Sequence, residues 1–170
     1  MNILLTGGSA CGKSALGEQL AQALGAPRYY LAAMEPWGEE GRRRVARHRA
    51  LRADKGFRTL ERYRDLDRLT LPQADGTVLL ECLGNLTANE LFRPDKDPAR
   101  AAERVLAGVY ALARQARHLI LISNEVGSDG MLYPPETENY IQTLWQINQE
   151  LTAWADRAAE VVCGLALWLK

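Results

Sequence analysis

Short runs of apolar residues alternate along the chain with longer polar or amphipathic stretches. The apolar runs predict strands over residues 3–5, 28–33, 58–61, 77–82, 118–123 and 160–169. The intervening stretches predict helices over residues 14–24, 39–51, 98–116 and 138–157, with a helical turn over residues 65–69. Strands that alternate with helices form a mostly parallel central sheet flanked by helices, so we predict an α/β fold. We expect the 170 residues to form one domain, residues 1–170.

The first predicted strand leads into the segment GGSACGKS, residues 7–14, and then directly into a helix. This is the pattern G-x-x-x-x-G-K-[ST] of a phosphate-binding loop in its usual context, although a glycine-rich turn with a chance lysine is the alternative. The backbone N–H groups of such a loop and the positive end of the following helix bind phosphate. Lys13 is expected to contact the β- and γ-phosphates, and Ser14 to place its hydroxyl on Mg²⁺. The predicted fold is therefore P-loop NTPase-like, and the predicted nucleotide-binding residues of the loop are Gly7, Gly8, Ser9, Ala10, Cys11, Gly12, Lys13 and Ser14.

Composition narrows the class of partner. The chain has 21 basic and 21 acidic residues and a formal net charge of zero, which favours a nucleotide or another small molecule over nucleic acid or an anionic membrane. Its three cysteines are far apart and form no C-x-x-C pair, which is typical of the reducing cytoplasm and argues against a disulfide framework or a zinc site. No apolar run reaches membrane-spanning length, and Met1 leads directly into a strand, so we expect a cytoplasmic protein without a leader and without membrane insertion.

Polar residues follow the predicted strands at the sheet edge where ligands bind in parallel sheets. Glu81 ends an apolar strand, which is the usual place for a carboxylate that organises Mg²⁺ in P-loop proteins; the alternative is a carboxylate that caps the next helix. Residues 124–127, NEVG, form either a second functional loop or a turn with a helix cap. The guanine-reading N-K-x-D signature of regulatory GTPases is absent, which disfavours a GTPase switch.

The helix predicted over residues 39–51 is rich in arginine and contains His48 in the segment VARHRALR. Such a run of charges usually forms a solvated helix face. Neighbouring positive charge nevertheless disfavours protonation of the imidazole, which keeps a ring nitrogen free as a nucleophile, and the arginines could hold a polyphosphate beside it. The local sequence leaves both interpretations open. The second histidine, His118, begins an apolar strand and is assigned no role.

Taken in order, these segments resemble one family, the bifunctional adenosylcobinamide kinase/adenosylcobinamide-phosphate guanylyltransferases of cobalamin synthesis. The resemblance extends nearly from end to end and rests on ILLTGGSACGKS, YYLAAME, RVARHRALR, FRTLE, LLECL, LISNEVG and GLALWLK, with the pairs Asn148-Gln149 and Ala155-Asp156. Very many enzymes share a P-loop, whereas this ordered set of segments is far more specific.

The resemblance implies two reactions. The family phosphorylates the amino-propanol arm of adenosylcobinamide, and then transfers GMP from GTP to that phosphate through a covalent GMP–histidine intermediate. On this resemblance the nucleophile is His48, with Lys13 as a second catalytic residue, and Ser14 and Glu81 hold Mg²⁺. The nucleotide site is completed by Ala32, Ala33, Met34, Arg49, Ala50, Leu51, Arg52, Glu61 and Glu81.

The resemblance also implies the partners. These are adenosylcobinamide, its phosphate, GTP or ATP, and further copies of the chain in a homo-oligomer, a trimer in the family. The chain departs from the family pattern between Pro135 and Asn148, where it lacks an arginine and an aspartate that the family carries. We therefore expect guanylyl transfer more strongly than kinase activity.

Two other functions stay open on the sequence. A generic P-loop small-molecule kinase would use the arginine-rich helix as a lid and form no covalent intermediate. A nucleotide-binding regulatory module would bind nucleotide tightly without consuming it. Covalent labelling of His48 by GTP separates the first from a guanylyltransferase, and corrinoid-dependent consumption of nucleotide separates the second.

Overall fold

Alternating apolar positions build a seven-stranded sheet whose central strands are almost completely buried. The computed structural model describes residues 1–36, 38–50 and 53–170, and it describes only the backbone of residues 40, 42, 44, 47–49 and 53. The strands are β1 (Asn2–Thr6), β2 (Arg28–Ala32), β3 (Phe57–Glu61), β4 (Thr77–Glu81), β5 (His118–Ile122), β6 (Arg157–Val162) and β7 (Leu165–Trp168). Their order in the sheet is β3-β2-β4-β5-β1-β6-β7, and all neighbours are parallel except β6 and β7.

Five helices flank this sheet in the described part of the chain. They are α1 (Lys13–Leu24), α2 (Gly38–Ala50), α3 (Leu83–Leu91), α4 (Ala101–Ala113) and α5 (Pro135–Trp154). Short 3-10 helices lie at Ala53–Lys55, Leu66–Arg68 and Pro98–Arg100. Within the residues described, no helix combines the length and the apolar character that crossing a bilayer requires.

Successive residues of the central strands enter two different cores, as the pleat of a strand requires. Ile3 and Leu5 of β1 pack with Ala21 of α1 on one face of the sheet. Leu4 belongs to the opposite core, together with buried residues of α3, α4 and α5 such as Leu144. The helices therefore lie on both faces of a mostly parallel sheet, which confirms the predicted P-loop NTPase-like α/β fold.

The strand register brings the predicted functional residues to one edge of the sheet. Ala32 at the end of β2 is level with Glu61 of β3 and with Glu81 of β4, and Glu81 is level with Ile122 of β5. Leu5 of β1 is level with Ile122 as well, so the P-loop that follows β1 begins at the same edge. This edge of carboxyl ends is where parallel sheets bind ligands.

The last third of the chain differs from the prediction in two places. The helix predicted over residues 138–157 ends at Trp154, because Asp156 instead accepts a hydrogen bond from the Asn2 backbone N–H (2.6 Å) and Arg157 begins β6 beside Ile3. The single strand predicted over residues 160–169 is a hairpin. Its turn is formed by Cys163 and Gly164, whose φ values of 49° and 81° are those of a tight two-residue turn.

Two helices also differ from the prediction, each for a local reason. The sequence analysis assigned no helix to residues 83–91, yet α3 forms there with buried positions at Leu83, Leu86 and Glu90, a helical spacing. The helix predicted over residues 98–116 begins as a 3-10 helix, whose N-cap Asp97 accepts a hydrogen bond from the Ala99 N–H (3.0 Å), and it becomes α-helical only at Ala101.

Candidate active site

The P-loop packs so closely against the β6–β7 hairpin that two of its glycines have no substitute. Gly7 has φ 139°, and a Cβ atom there would lie 2.5 Å from the carbonyl oxygen of Val161. Gly12 has φ 102°, and a Cβ atom there would lie 3.0 Å from Cα of Gly164. The Gly164 N–H donates to the carbonyl of Cys11 (2.8 Å), which ties the hairpin to the loop. The glycines of the motif are therefore needed both for their backbone conformation and for this contact.

Lys13 is a buried cation inside the loop. Its side chain is 5% exposed, and Nζ donates to the carbonyl oxygens of Gly7 (2.8 Å) and Gly8 (2.6 Å). Within the described residues no carboxylate lies within 4.0 Å of this ammonium group. A buried positive charge that is balanced only by carbonyl dipoles attracts an anion strongly. The loop therefore offers a buried positive charge to an anion such as phosphate.

Ser14 and Glu81, the two predicted Mg²⁺ ligands, meet beside Lys13. Ser14 Oγ donates to Glu81 Oε1 at 2.6 Å, across the gap between α1 and the end of β4. The second carboxylate oxygen, Oε2, is buried and has no hydrogen-bond partner among the residues that the structure describes. A hydroxyl and a carboxylate with one uncommitted oxygen are the kind of ligands that Mg²⁺ takes when phosphates complete its coordination. The residues present therefore fit a magnesium ion.

A cleft of about 680 Å³ opens over this edge of the sheet. The residues that line it come from the P-loop, α1, β2, α2, the 3-10 helix at Ala53–Lys55, β3, the end of β4, the start of α3, and the end of β5 with the residues after it. They are Ser9, Ala10, Cys11, Gly12, Lys13, Ser14, Ala15, Glu18, Tyr30, Ala32, Met34, Val45, Lys55, Thr59, Glu81, Cys82, Asn85, Ile122 and Asn124. This single space thus connects the phosphate loop with the predicted Mg²⁺ ligands and with α2.

The predicted site residues after β2 and β3 divide into two groups. Ala32 and Met34 line the cleft. Ala33 does not, because its side chain is fully buried in the core on the α3–α5 side of the sheet and only its backbone is near the edge. Glu61 lies at the exposed end of β3, outside the cleft lining, and accepts a hydrogen bond from the Tyr63 hydroxyl (2.9 Å).

Helix α2 contributes to the cleft wall through Val45, which is half-buried. Ala50 lies exposed at the end of this helix and outside the cleft lining. His48 and Arg49 are backbone positions of α2 whose side chains lie outside the described residues, and so do Leu51 and Arg52 altogether. The structure therefore gives the position of the predicted nucleophile, His48, only through the backbone of α2.

The segment NEVG is held by a polar chain from α5. Ser123 Oγ donates to Asn148 Oδ1 (2.6 Å), and Asn148 Nδ2 donates to the carbonyl of Asn124 (3.3 Å). The Asn124 amide in turn contacts Cys82 Sγ at 3.8 Å across the cleft lining. Burial raises the pKa of the Cys82 thiol above its usual value, so this cysteine is a packing residue rather than a thiolate nucleophile.

A buried charge network supports the loop that follows β3. The Arg93 guanidinium donates to Asp65 (2.8 Å), to Glu90 (3.1 Å) and to Asp95 (2.9 Å), while Arg104 also donates to Glu90 (2.8 Å). Hydrogen bonding to Arg93 lowers the pKa of the Asp65 carboxyl below its ordinary value. The network thus pairs each of these carboxylates with a guanidinium group.

The network is linked to the cleft edge through α3. Asn89 Nδ2 donates to the carbonyls of Ala33 (2.8 Å) and Tyr63 (3.0 Å), which follow β2 and β3. The segment that contains Met34 is held to the loop of Tyr63 in this way. Arg93 and its partners therefore stabilise the frame of the cleft without contributing to its lining.

The pair formed by Glu18 and Lys55 was not predicted from the sequence. Glu18 is 7% exposed on α1, Lys55 lies in the 3-10 helix before β3, and Lys55 Nζ donates to Glu18 Oε2 in the cleft wall. One signal for Glu18 exists in the sequence, because it follows Ser14 by four residues and so shares its helix face. Lys55 has no local signal, since the contact joins residues 37 positions apart.

With this geometry established, comparison with known proteins decides the family. The model of the family described as cobinamide kinase/cobinamide phosphate guanyltransferase matches residues 3–169. The chain belongs to this CobU family. It is accordingly a transferase of cobalamin biosynthesis, with cobinamide kinase and cobinamide phosphate guanylyltransferase activity. The resemblance stated from the sequence is confirmed.

Individual relatives agree with the family. The bifunctional adenosylcobalamin biosynthesis protein CobU of Escherichia coli is 30% identical over 187 residues, which cover 100% of both chains. The corresponding protein CobP of Pseudomonas aeruginosa is 30% identical over 172 residues, which cover 100% of this chain and 98% of the relative. Among solved structures, the flagellar accessory protein FlaH of Methanocaldococcus jannaschii is similar over 99% of this chain and 77% of its own, with a TM-score of 0.52 and 12% identity. That likeness concerns the fold alone.

Proposed function

We propose that this member of the CobU family binds GTP in the cleft and transfers its GMP to cobinamide phosphate through a covalent bond to His48. One observation carries the proposal: a single cleft connects Lys13 and Ser14 of the P-loop with Val45 of α2. His48 follows Val45 by three residues, and this helical spacing puts the two positions on the same face of α2.

The chemistry follows from these positions. A lone pair of the neutral imidazole attacks the α-phosphorus of GTP, a phosphorus–nitrogen bond forms, and the bond to the bridging oxygen of the β-phosphate breaks. The electron pair leaves with pyrophosphate, whose charge is met by Lys13 and by the N–H groups of the P-loop. A phosphate oxygen of cobinamide phosphate then attacks the same phosphorus and releases the imidazole.

Ser14 and Glu81 are the residues that would hold Mg²⁺, because they pair a hydroxyl with a carboxylate whose second oxygen is uncommitted. Bound there, the ion would neutralise charge on the phosphate oxygens of the nucleotide. The kinase reaction is proposed to use the same P-loop, with GTP or ATP as phosphoryl donor. We further propose that residues 1–170 act as one nucleotide-binding domain, in a cytoplasmic homo-oligomer.

Incubation with GTP labelled at the α-phosphate tests the proposal. The protein is expected to take up label that resists base and is released by acid, as a phosphorus–nitrogen bond would be, and peptide mapping should place it at residue 48. His48→Ala should abolish the label. His118→Ala is the matched control, because His118 begins β5 and is not among the residues that line the cleft, and it should label normally. An unlabelled wild-type protein that still consumes nucleotide with cobinamide would instead be a kinase without a covalent intermediate.

A further inference from the structure

Two of the three cysteines, which the sequence places near its opposite ends, come close together where the β6–β7 hairpin packs on the P-loop. Cys11 is a half-buried loop residue that lines the cleft, and Cys163 is an exposed residue of the hairpin turn. The Gly164 N–H, which directly follows Cys163 in the chain, donates to the Cys11 carbonyl at 2.8 Å. The chemistry proposed for the nucleotide uses neither thiol.

This hydrogen bond limits the distance between the two cysteines. The Cα atom of Cys163 is two covalent bonds from the donor nitrogen, and the Cα atom of Cys11 is two covalent bonds from the acceptor oxygen. Standard peptide dimensions then put the two Cα atoms within about 7 Å of each other, which is the limit for a disulfide that forms without backbone movement. The Cys11 sulfur also lies towards the hairpin, because a Cβ atom at Gly7 would be 3.1 Å from Cys11 Sγ and 2.5 Å from the Val161 carbonyl oxygen of β6.

The third cysteine is a poorer partner for Cys11. Cys82 belongs to the core against which Cys11 packs, but it is 7% exposed, and burial raises the pKa of its thiol. Thiol–disulfide exchange needs a thiolate that the oxidant can reach. Cys163 is the exposed thiol of the three, so it is the one that a dissolved oxidant meets first.

We propose that Cys11 and Cys163 form a reversible disulfide that joins the hairpin to the P-loop and weakens nucleotide binding. The oxidant is a small soluble disulfide such as glutathione disulfide. The Cys163 thiolate attacks one of its sulfurs, a mixed disulfide forms, and one glutathione thiolate leaves. The Cys11 thiolate then attacks the Cys163 sulfur and releases the second glutathione thiolate. The two cysteine thiols are thereby oxidised, and glutathione disulfide is reduced to two glutathione molecules, which take up the two protons that the cysteines lost.

The disulfide would alter the loop at the place where phosphate binds. In the reduced protein Cys11 Sγ lies 3.6 Å from Nζ of Lys13, the buried cation of the loop, and the new bond takes this sulfur towards the hairpin. Cys11 lies between Ala10 and Gly12, whose φ values of 56° and 102° are both in the left-handed region, and Gly12 packs directly on Gly164. A loop held this tightly absorbs the new bond only by moving its N–H groups, so its affinity for phosphate falls.

The inference rests on the proposed function only to the extent that nucleotide phosphates lie on the P-loop. The test incubates the protein with mixtures of glutathione and glutathione disulfide, and maps disulfides by mass spectrometry after digestion without reductant. We expect a pair of peptides joined through Cys11 and Cys163 and separated by dithiothreitol. The oxidised protein should bind the α,β-methylene analogue of GTP, which cannot transfer its GMP, about tenfold more weakly, the loss expected when one contact to a charged group is disturbed. By linkage, saturating analogue should lower the equilibrium constant of disulfide formation by the same factor.

Cys163→Ser removes the thiol of the hairpin turn, so it should form no such disulfide and should keep its affinity for the analogue in the oxidising mixture. Cys82→Ser is the matched control and should form the disulfide as the wild-type protein does.

Three results overturn the inference. They are mixed disulfides with glutathione but no peptide pair of Cys11 and Cys163, a disulfide that leaves the affinity unchanged, and an equal loss of affinity in oxidised Cys163→Ser, which would assign the loss to glutathione on Cys11. Mapping the disulfide needs no nucleotide, so its failure is distinguishable from a failure of covalent labelling at His48.

Discussion

Arg93 and Lys13 are both buried cations, with 7% and 5% of their surface exposed, yet their surroundings are opposite. Arg93 is surrounded by Asp65, Glu90 and Asp95, and its guanidinium donates to all three carboxylates. Lys13 donates to two backbone carbonyls and, in the described part of the chain, has no carboxylate within ion-pairing distance.

The difference separates a structural charge from a binding charge. The charge of Arg93 is neutralised within the fold, so nothing is left for a ligand, and Arg104 shares the Glu90 carboxylate with it. Among the described residues the charge of Lys13 meets two carbonyl dipoles and the Cys11 sulfur but no carboxylate, which leaves a net positive charge to attract an anion. The same contrast holds among acids, since Glu90 is shared by two arginines whereas Glu81 has one oxygen without a partner among the described residues.

The largest effect on the free energy of unfolding is expected from breaking the Arg93 network. Arg93→Met takes one of its two guanidinium partners from the buried Glu90, and removing one member of a buried ion pair costs about 3 kcal/mol in the free energy of unfolding. Urea unfolding at neutral pH measures this loss. Arg100→Met, which removes an exposed pair with Glu103, is the matched control and should leave the unfolding midpoint unchanged.

Arg93→Met should also change how the stability of the fold depends on pH in the acid range. Because Arg93 lowers the pKa of Asp65 below its unfolded value, the contribution of Asp65 is complete above that unfolded value and is lost as pH falls through the lower folded value. Arg93→Met should remove this part of the acid dependence of stability. An unchanged midpoint in urea and an unchanged acid limb together would show that the network does not stabilise the fold.

The next largest effect is expected on GTP binding, from replacing Lys13. Lys13→Gln removes the charge that faces the phosphates and should weaken GTP binding by roughly a hundredfold, since bonds to charged groups contribute about 1.5–3 kcal/mol each. The stability of the unliganded protein should change little, because no carboxylate loses its partner. Isothermal titration calorimetry with GTP measures the loss, and wild-type affinity in the variant would contradict the role given to Lys13.

A smaller effect is expected at the carboxylate side of the cleft. Glu81→Gln keeps an oxygen for the Ser14 hydroxyl but removes the negative charge that would bind Mg²⁺. The difference in GTP affinity with and without Mg²⁺ should shrink by about tenfold, one charged ligand's share. Glu125→Gln is the control, because Glu125 is exposed and outside the cleft lining; an equal loss in both variants would argue against the site.

The smallest effect is expected at His118, which belongs to neither region. Burial, the N-terminal ammonium group and Arg117 lower the pKa of this histidine. A lowered folded pKa means that the unfolded chain binds the proton more readily, so stability is complete above the unfolded pKa and falls as pH decreases towards the folded value. His118→Gln should flatten this decline as the pH falls below the ordinary histidine pKa of about 6.5 in thermal unfolding. An unchanged decline in His118→Gln would contradict this assignment.

Much of the fold could be predicted because its signals are local. The P-loop pattern lies between a strand and a helix, and the apolar runs of β4 and β5 are long enough to identify buried strands and the residues that follow them. The meeting of Ser14 with Glu81 could be expected as well, since parallel strands place their carboxyl ends together. The local pattern thus predicted the loop between β1 and α1 and placed Glu81 at the same edge of the sheet.

The features that could not be predicted from the sequence depend on contacts between distant parts of the chain. The closing segment alternates apolar residues without a break, so only the turn at Cys163 and Gly164 shows that it is a hairpin packed on the P-loop. The core position of Ala33 follows from the strand pleat one residue beyond Ala32, which a motif match does not resolve. The Glu18–Lys55 pair joins α1 to a segment before β3, and no spacing in the sequence indicates it.

Ligand-induced stabilisation tests the contrast between the two cations most directly. The shift in unfolding temperature on adding GTP with Mg²⁺ should be measured in the wild-type protein, in Arg93→Met and in Lys13→Gln. We predict that Arg93→Met unfolds at a lower temperature but keeps the full shift, whereas Lys13→Gln unfolds near the wild-type temperature and loses the shift. A full shift in Lys13→Gln, or a shift lost in Arg93→Met alone, would contradict the division of the two buried charges into a binding site and a structural network.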